Sequence, residues 1–453
     1  MADAPARLTL RTTPFDTATR VLSRRMVNPL CGLTPRLKFS VRGRGEPRIA
    51  IAGAELTGVH IFHNGRPLPP ESHHLGGAGV LLDEPLIKSL GESAERYCHY
   101  SFPAQHRDRI RFAGYREMAE RGNSIPAQDN CVFFTDTQLE RPGFLFERFD
   151  PDAPMGWLPM RSLTGESTYW APAQLTMVGY QPRRKEGEPW LNAAVTTGTA
   201  THSDPGKALL SAIEELIQLD SVMGHWHSDR PSVLIRHDAR LRALDKLIER
   251  YWHRGAPPPE FHLLPNPDLP GFTIACLYRS GHTASVPVAA GLGSDLRLPY
   301  AMYKALLEAI AVFRYATWMA AKRTTDGAVH TSGKDDFFDL ADNVAYYTEP
   351  ANAAIVERRF AVHTQASAGD LPPDVTADTR ACAAHLVDAF ATTGKHLGYL
   401  DITTPDVRRL GLTVCRVWSP DTLSLCLPSA PQPLHPRFAA YGGAVNPEPH
   451  PYP

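Results

Sequence analysis

The stretch "YAMYKALLEAIAVFRYATWMAAK", residues 300 to 322, is apolar on nearly every side at helical spacing. A helix without a polar face must be covered all round, so this segment belongs deep inside a sizeable domain. It predicts a buried helix over roughly 299 to 322. Glu308 is its one acid, and Lys304 stands one turn earlier. A carboxylate in such a place needs a cation, a metal or several donors, and Lys304 is the nearest candidate partner.

Two other segments read as long helices. Over roughly 84 to 100, "EPLIKSLGESAERYCHY" puts Ile87, Leu90, Ala94, Tyr97 and Cys98 on one stripe. Glu84, Lys88, Glu92 and Arg96 form a ladder at a spacing of four, which suits a solvated face. Glu95 lies off that ladder, three residues from Glu92, so both carboxylates can project towards one ion. Over roughly 205 to 224, "HSDPGKALLSAIEELIQLDSVM" opens with Ser203 or Asp204 as the cap and Pro205 in the first turn. Its buried stripe is Leu209, Ala212, Ile213, Leu216 and Met223. Asp220 falls inside the stripe, where a structural pairing and a functional role are both open. Glu215 and Gln218 repeat the three-residue oxygen pair of the first helix. Carboxylates brought together from three helices suit magnesium, which takes oxygen ligands and keeps waters and substrate phosphates in its shell.

Strand-like runs rich in β-branched and aromatic residues recur at "NCVFFT" (130 to 135), "GFTIACLYR" (271 to 279), "TASVPVAAG" (283 to 291) and "LGLTVCRVW" (410 to 418). "QPRRKEGEP" (181 to 189) and the proline-rich 253 to 271 read as surface loops. Together these predict a mixed α/β (α+β) fold, a single large domain with helices packed on sheets.

Net charge is −1, which gives no reason to expect a nucleic-acid or acidic-membrane face. The seven cysteines are odd in number and form no CxxC pair. The N-terminus lacks the apolar core of a signal peptide, and no apolar run is long enough to span a bilayer. A reduced, cytoplasmic setting is the expectation. No P-loop, GxGxxG, GxSxG or HExxH motif occurs. His73 and His74, and His225 and His227, lack zinc-site spacing and read as surface or core residues.

Taken in order, "GGAG…IKSLGESAERY", "GTATHSDPGKALLSAIEELIQLD", "YAMYKALLEAIAVFRYATW" and "DITTPDVRRLGLTVCRVWSP" resemble the YcaO family, from about Arg24 to the C-terminus. With "PEPHPYP" at the end, the chain resembles the cyclodehydratase, or D protein, of azole-containing peptide biosynthesis, in its streptolysin-type branch. The resemblance implies an enzyme that uses ATP and magnesium. It would turn Cys, Ser or Thr of a ribosomal precursor peptide into thiazolines or oxazolines through phosphorylation of a backbone amide oxygen. It assigns metal roles to Glu92, Glu95, Glu215 and Glu308, and ATP or phosphate roles to Lys88, Arg96, Ser203, Lys207, Gln218 and Lys304. Lys88, Lys207 and Lys304 stand where the family commonly has a serine, an acid and an arginine, and Ala78 where it has a glycine-loop lysine. As point charges, the three lysines suit phosphate. The expected organisation is an N-terminal extension (1 to 23), a YcaO-type domain (24 to 440) and a proline-rich tail (441 to 453).

The length leaves no room for a fused ThiF-like domain, so the resemblance implies a separate ThiF-like leader-binding protein. It also implies an FMN-dependent azoline dehydrogenase, within a homodimer or a hetero-oligomeric synthetase complex. Two other readings stand beside this one. One is a thioamide- or amidine-forming relative, which the proline-rich tail argues against. The other is a non-catalytic scaffold, which the substituted ATP positions favour.

The tail "NPEPHPYP" alternates proline with single residues. Such a run favours polyproline II, about 3.1 Å per residue, and docks at little entropic cost. The reading is a strut that brings the Pro453 carboxylate to the reaction centre as a base, with Glu448 and His450 as spacers. A disordered end is the alternative.

Overall fold

The computed structural model describes residues 17–40, 42–43, 45–63, 75–165, 167–252, 255–280, 286–326 and 337–453. His73, His74 and most of the expected N-terminal extension lie outside them. Strands β1 (Leu37–Ser40), β2 (Ala50–Ala54) and β3 (Gly76–Gly79) form a small antiparallel sheet in that order. A six-stranded sheet contains β4 (Arg111–Gly114), β5 (Pro154–Ser162), β6 (Thr168–Pro172), β7 (Thr199–His202), β13 (Gly398–Asp401) and β14 (Thr413–Trp418). Its order is β4-β5-β13-β14-β7, with β6 paired to β5. The third sheet contains β8 (Ser232–Arg236), β9 (Glu260–Leu263), β10 (Phe272–Arg279), β11 (Val288–Asp295) and β12 (His363–Ser367), in the order β11-β10-β9-β8-β12.

The three expected helices form with nearly the expected bounds: α1 (Asp83–Gln105), α2 (Pro205–His227) and α3 (Leu298–Asp326). Each takes its position from its apolar residues. Strands β10 and β11 are buried on both faces, so their side chains alternate between two cores. Ile274, Cys276 and Tyr278 join the core under α3, while Ala275 and Leu277 join the core that holds Trp226 of α2. The all-apolar α3 is therefore covered as its sequence requires. Gly291 lets it approach closely, since a Cβ there would lie 1.9 Å from the Ala309 nitrogen. Helix α2 serves two cores. Ala212, Ile213 and Leu216 pack with Cys415, Val417 and helix α6 (Thr379–Thr392), while Val222, Met223 and Trp226 pack in the other. Two shorter helices, α4 (Leu340–Tyr346) and α5 (Pro350–Ala361), close the far side.

Several expectations need correction. In α1 the buried stripe is Leu86, Leu90, Ala94, Cys98 and Phe102, and Ile87 is 39% exposed. "NCVFFT" is no strand: Phe133 and Phe134 are buried in an aromatic cluster with Phe146 and Trp157. The proline-rich 253 to 271 contains β9, an interior strand of its sheet. Asp204, not Ser203, caps α2, accepting from the Gly206 amide at 2.8 Å and the Lys207 amide at 3.3 Å. Asp220 is structural. It is fully buried and meets Arg437 at 2.6 Å, Tyr441 Oη at 3.0 Å and the Leu423 amide at 2.8 Å. His225 and His227 are core residues, and every cysteine is a free thiol. No helix among the described residues is long and apolar enough to cross a membrane.

Candidate functional site

Strands β3, β7 and β11 each stand at one end of their sheet's strand order. An outer strand carries amides without ladder partners, and these must find acceptors elsewhere when enclosed. Here the acceptors are the four glutamates. Gly76 of β3 donates to Glu92 Oε2 at 2.7 Å. Thr201 of β7 donates to Glu95 Oε1 at 2.7 Å, and the Gly198 and Thr199 amides donate to Glu215 Oε2 at 3.2 Å each. Leu292 of β11 donates to Glu308 Oε1 at 3.1 Å. Helices α1, α2 and α3 thus each pin a carboxylate to the rim of a sheet, and the three rims face one space.

The charges interact across that space. Burial pushes Glu308 up to about 7, with the Glu215 and Glu92 charges adding to the rise. Glu215 is also pushed up to about 7 by burial, while Arg416, its two backbone donors and Arg96 hold it down. Glu95 rises well above the usual carboxylate range, first through burial and then through the charges of Glu215 and Glu92. Among the described residues, the second oxygens of Glu95, Glu215 and Glu308 accept no hydrogen bond. These are carboxylates short of a cation.

Donors short of an anion lie beside them. Arg96 reaches Glu92 at 3.6 Å and Thr196 Oγ1 at 3.2 Å, yet its Nε is buried without a partner. Arg416 is 1% exposed, contacts Thr199 Oγ1 at 3.4 Å, and also leaves its Nε unpaired. His99 Nε2 meets the same Thr199 hydroxyl at 2.6 Å, while its Nδ1 and the Thr201 hydroxyl are buried without partners. Burial, then Arg416 and Arg96, hold His99 well below the usual histidine range, so it is a neutral imidazole. Such orphans are rare in a finished core. An anion would satisfy the arginines and a hard cation the glutamates, so these residues fit a magnesium–polyphosphate ligand. Among the described residues no three acids, histidines or cysteines converge closely enough to hold an ion unaided.

The remaining expected residues divide. Lys88 lies at the rim, its ammonium 2.9 Å from the Ala78 carbonyl, and burial lowers its pKa with Lys304 adding to the effect. Lys304 does not pair with Glu308. It bonds Ser294 O at 2.7 Å, Asp295 at 3.0 Å and Glu214 at 3.2 Å. Gln218 is half-buried one turn beyond Glu215, whereas Ser203 and Lys207 are exposed at the start of α2. Sequence reasoning missed Arg416, His99, Glu214 and Asp295. Arg416 and Asp295 are each the one charge of an otherwise uncharged strand, a signal that says only that some partner exists, while His99 and Glu214 sit among the other polar residues of their helices and carry no signal of their own.

The tail is seated, not loose. His450 and Tyr452 are 0% and 1% exposed, and Pro453 is half-buried. Tyr452 lies near enough to Glu308 for that charge to help raise its phenol, after burial. His450 is no mere spacer, since its Nε2 donates to the Cys426 carbonyl at 2.7 Å.

The family model described as YcaO cyclodehydratase, ATP- and Mg2+-binding, matches residues 76–423. None of the curated proteins matches the sequence. A solved heterocyclase in complex with substrate and cofactor superposes with a TM-score of 0.69 at 18% identity, over 99% of this chain and 59% of its own. The heterocyclase TruD gives 0.58 at 20% identity, over 81% and 50%. A chain of the E. coli microcin synthetase McbBCD complex with pro-MccB17 bound gives 0.55 at 13% identity, over 88% and 90%. The match therefore spans 59% of one heterocyclase and 50% of the other, and at these identities the likeness concerns the fold.

Proposed function

This chain belongs to the YcaO cyclodehydratase family, and on that premise we propose that it converts Cys, Ser or Thr residues of a ribosomally made peptide into azolines. The carrying observation is the set of four glutamates from three helices, each held by an edge-strand amide, beside buried arginine donors without partners. Glu92, Glu95, Glu215 and Glu308 would hold magnesium. Arg96 and Lys88 would hold phosphate, with Gln218, Ser203 and Lys207 along α2 and Lys304 behind them through its acid pair. Lys88 places its ammonium against Ala78, so a helix residue supplies charge where the family commonly has a loop lysine. Magnesium ATP, when bound, supplies the phosphoryl group that makes an amide oxygen a leaving group.

The chain's part in the chemistry is placement. The thiol or hydroxyl adds to the preceding carbonyl carbon and gives its proton to a base; the former carbonyl oxygen then departs as phosphate as the amide nitrogen loses its proton and forms the C=N bond. The peptide loses the atoms of one water per ring. The Pro453 carboxylate is the proposed base, held by a seated tail where a free end would be spread over a large volume. A precursor peptide, a separate ThiF-like leader-binding protein and an FMN-dependent azoline dehydrogenase are the proposed partners.

The test is release of phosphate together with one-water mass losses from a Cys-bearing precursor, with the leader-binding protein present. Glu92→Gln and Glu308→Gln should each abolish both while leaving the protein folded. A folded native chain that releases no phosphate with precursor and partner would instead support a docking scaffold. Lys88, Lys207 and Lys304, where the family commonly has other residues, are the observation on that side.

A further inference from the structure

Of the last seven residues, Pro447, Pro449, Pro451 and Pro453 have no amide hydrogen. Such a segment keeps amide hydrogens only at Glu448, His450 and Tyr452, so a protein that grips its backbone depends mainly on its carbonyls. The structure supplies donors in succession. Trp226 Nε1 donates to the Glu448 carbonyl at 2.9 Å, and the Tyr347 hydroxyl donates to that of Pro449. The Asn343 amide nitrogen donates to His450 O at 2.6 Å and to Tyr452 O at 2.8 Å. It also faces His450 Nδ1 at 3.3 Å, while Nε2 of the same ring meets Cys426 O at 2.7 Å. One tautomer, protonated on Nε2, satisfies both contacts. Burial lowers the pKa of His450 to about 4, so the ring is neutral and that pattern is fixed at working pH. Upstream, the Asn446 side chain donates to Trp226 O at 2.9 Å and its backbone amide to His227 O at 2.9 Å.

Asn343 is fully buried at the second turn of a short helix whose other visible business is packing. A buried side-chain amide is costly unless its donors are used, and here they go to backbone atoms of a segment more than a hundred residues away. We infer that Trp226, Tyr347 and Asn343 form a donor ladder built to read a proline-rich backbone, and that Asn343 is a positioning residue for the terminal carboxylate. Apart from the Asn343 contact with His450 Nδ1, the ladder's bonds go to carbonyls, so it fixes the axial register of the tail. Register is what a base at the chain's last atom requires. This deepens the proposed role of Pro453 and rests on it.

The experiment uses the full-length chain with its leader-binding partner and precursor, in three forms: native, Tyr347→Phe and Asn343→Ser. Tyr347→Phe removes one hydroxyl and keeps the ring, so it reports even if Asn343→Ser fails to fold. Hydrogen exchange at the Glu448, His450 and Tyr452 amides reads tail seating, and steady-state ring formation reads catalysis. The ladder predicts faster exchange in every folded variant. It also predicts kcat lowered about tenfold for Tyr347→Phe and more for Asn343→Ser, with KM for ATP unchanged. Adding His450→Ala to the Tyr347→Phe chain should cost less than the product of the single losses, because both act on one docked segment. Native exchange in a folded variant, or fully multiplicative losses, would overturn the ladder. Faster exchange with native kcat would leave the ladder standing and overturn the base assigned to Pro453.

Discussion

Replacing Glu308 tests whether its carboxylate is held for a ligand. Its ordinary value near 4.5 is raised to about 7 in the folded chain, with burial as the main cause. A carboxyl whose folded value is raised takes up protons on folding between those two values. Its neutral form therefore supports the fold fully at low pH, and that support is lost as pH rises through 7. A shift of this size corresponds to about 3 kcal/mol, and to on the order of 1–2 kcal/mol once solvent screening of a partly exposed group is allowed for. Glu308→Gln keeps an oxygen for the Leu292 amide and removes the charge. It should stabilise the ligand-free protein at pH 8 by roughly that amount, worth about 1–4 °C in Tm, and should change little at pH 5. Glu308→Ala leaves the amide bare and should lose about 1–3 kcal/mol relative to Gln at either pH. Magnesium with a non-hydrolysable ATP analogue should raise the Tm of the native chain and not that of Glu308→Gln. Thermal melts at the two pH values, with and without ligand, read all of this. A Gln variant less stable than native at pH 8, or one stabilised by the ligand as strongly as native, refutes the reasoning.

Three further outcomes are expected. Magnesium-nucleotide binding should tighten from pH 6 towards 7 by about tenfold per unit for each carboxyl proton displaced, then level off, because Glu215 and Glu308 sit near 7. Calorimetry in buffers of different ionisation enthalpy would measure the protons. Adding two residues after Pro453, or deleting it, should lower ring formation by roughly 10²–10⁴-fold, the usual worth of a placed base, while the ligand-induced rise in Tm persists. Arg437→Met should destabilise the chain by about 3–5 kcal/mol in denaturant unfolding, because it strands the buried Asp220 carboxylate.

The three helices and their glutamates were legible because helical spacing is local and the acids interrupt apolar or regularly charged runs. What those glutamates bind in the folded chain was not legible. The Gly76, Thr201 and Leu292 amides are free only because of where β3, β7 and β11 stand in their sheets, and pairing order is a non-local property. Arg416 was invisible for the same reason, being one charge in an otherwise apolar strand. Composition misled at β9, where the surrounding prolines disguised an interior strand, and at Phe133 and Phe134, whose rings serve a cluster and not a ladder. Asp220 was flagged correctly as anomalous, but its partner lies more than two hundred residues away.

The glutamates bonded to the strand rims hold two posts at once. Each closes an otherwise unsatisfied backbone donor, so each is needed by the architecture even if no nucleotide ever arrives. Selection for folding alone would therefore keep an oxygen acceptor at Glu92, Glu95, Glu215 and Glu308 in a descendant that had lost catalysis. Glutamine would serve such a descendant as well as glutamate, and without the strain of buried charge. In this fold a carboxylate where its amide would serve the backbone equally well is more than folding alone requires, and the proposed magnesium role supplies a reason for it. That distinction can be read from a single letter of sequence, and here all four letters are E.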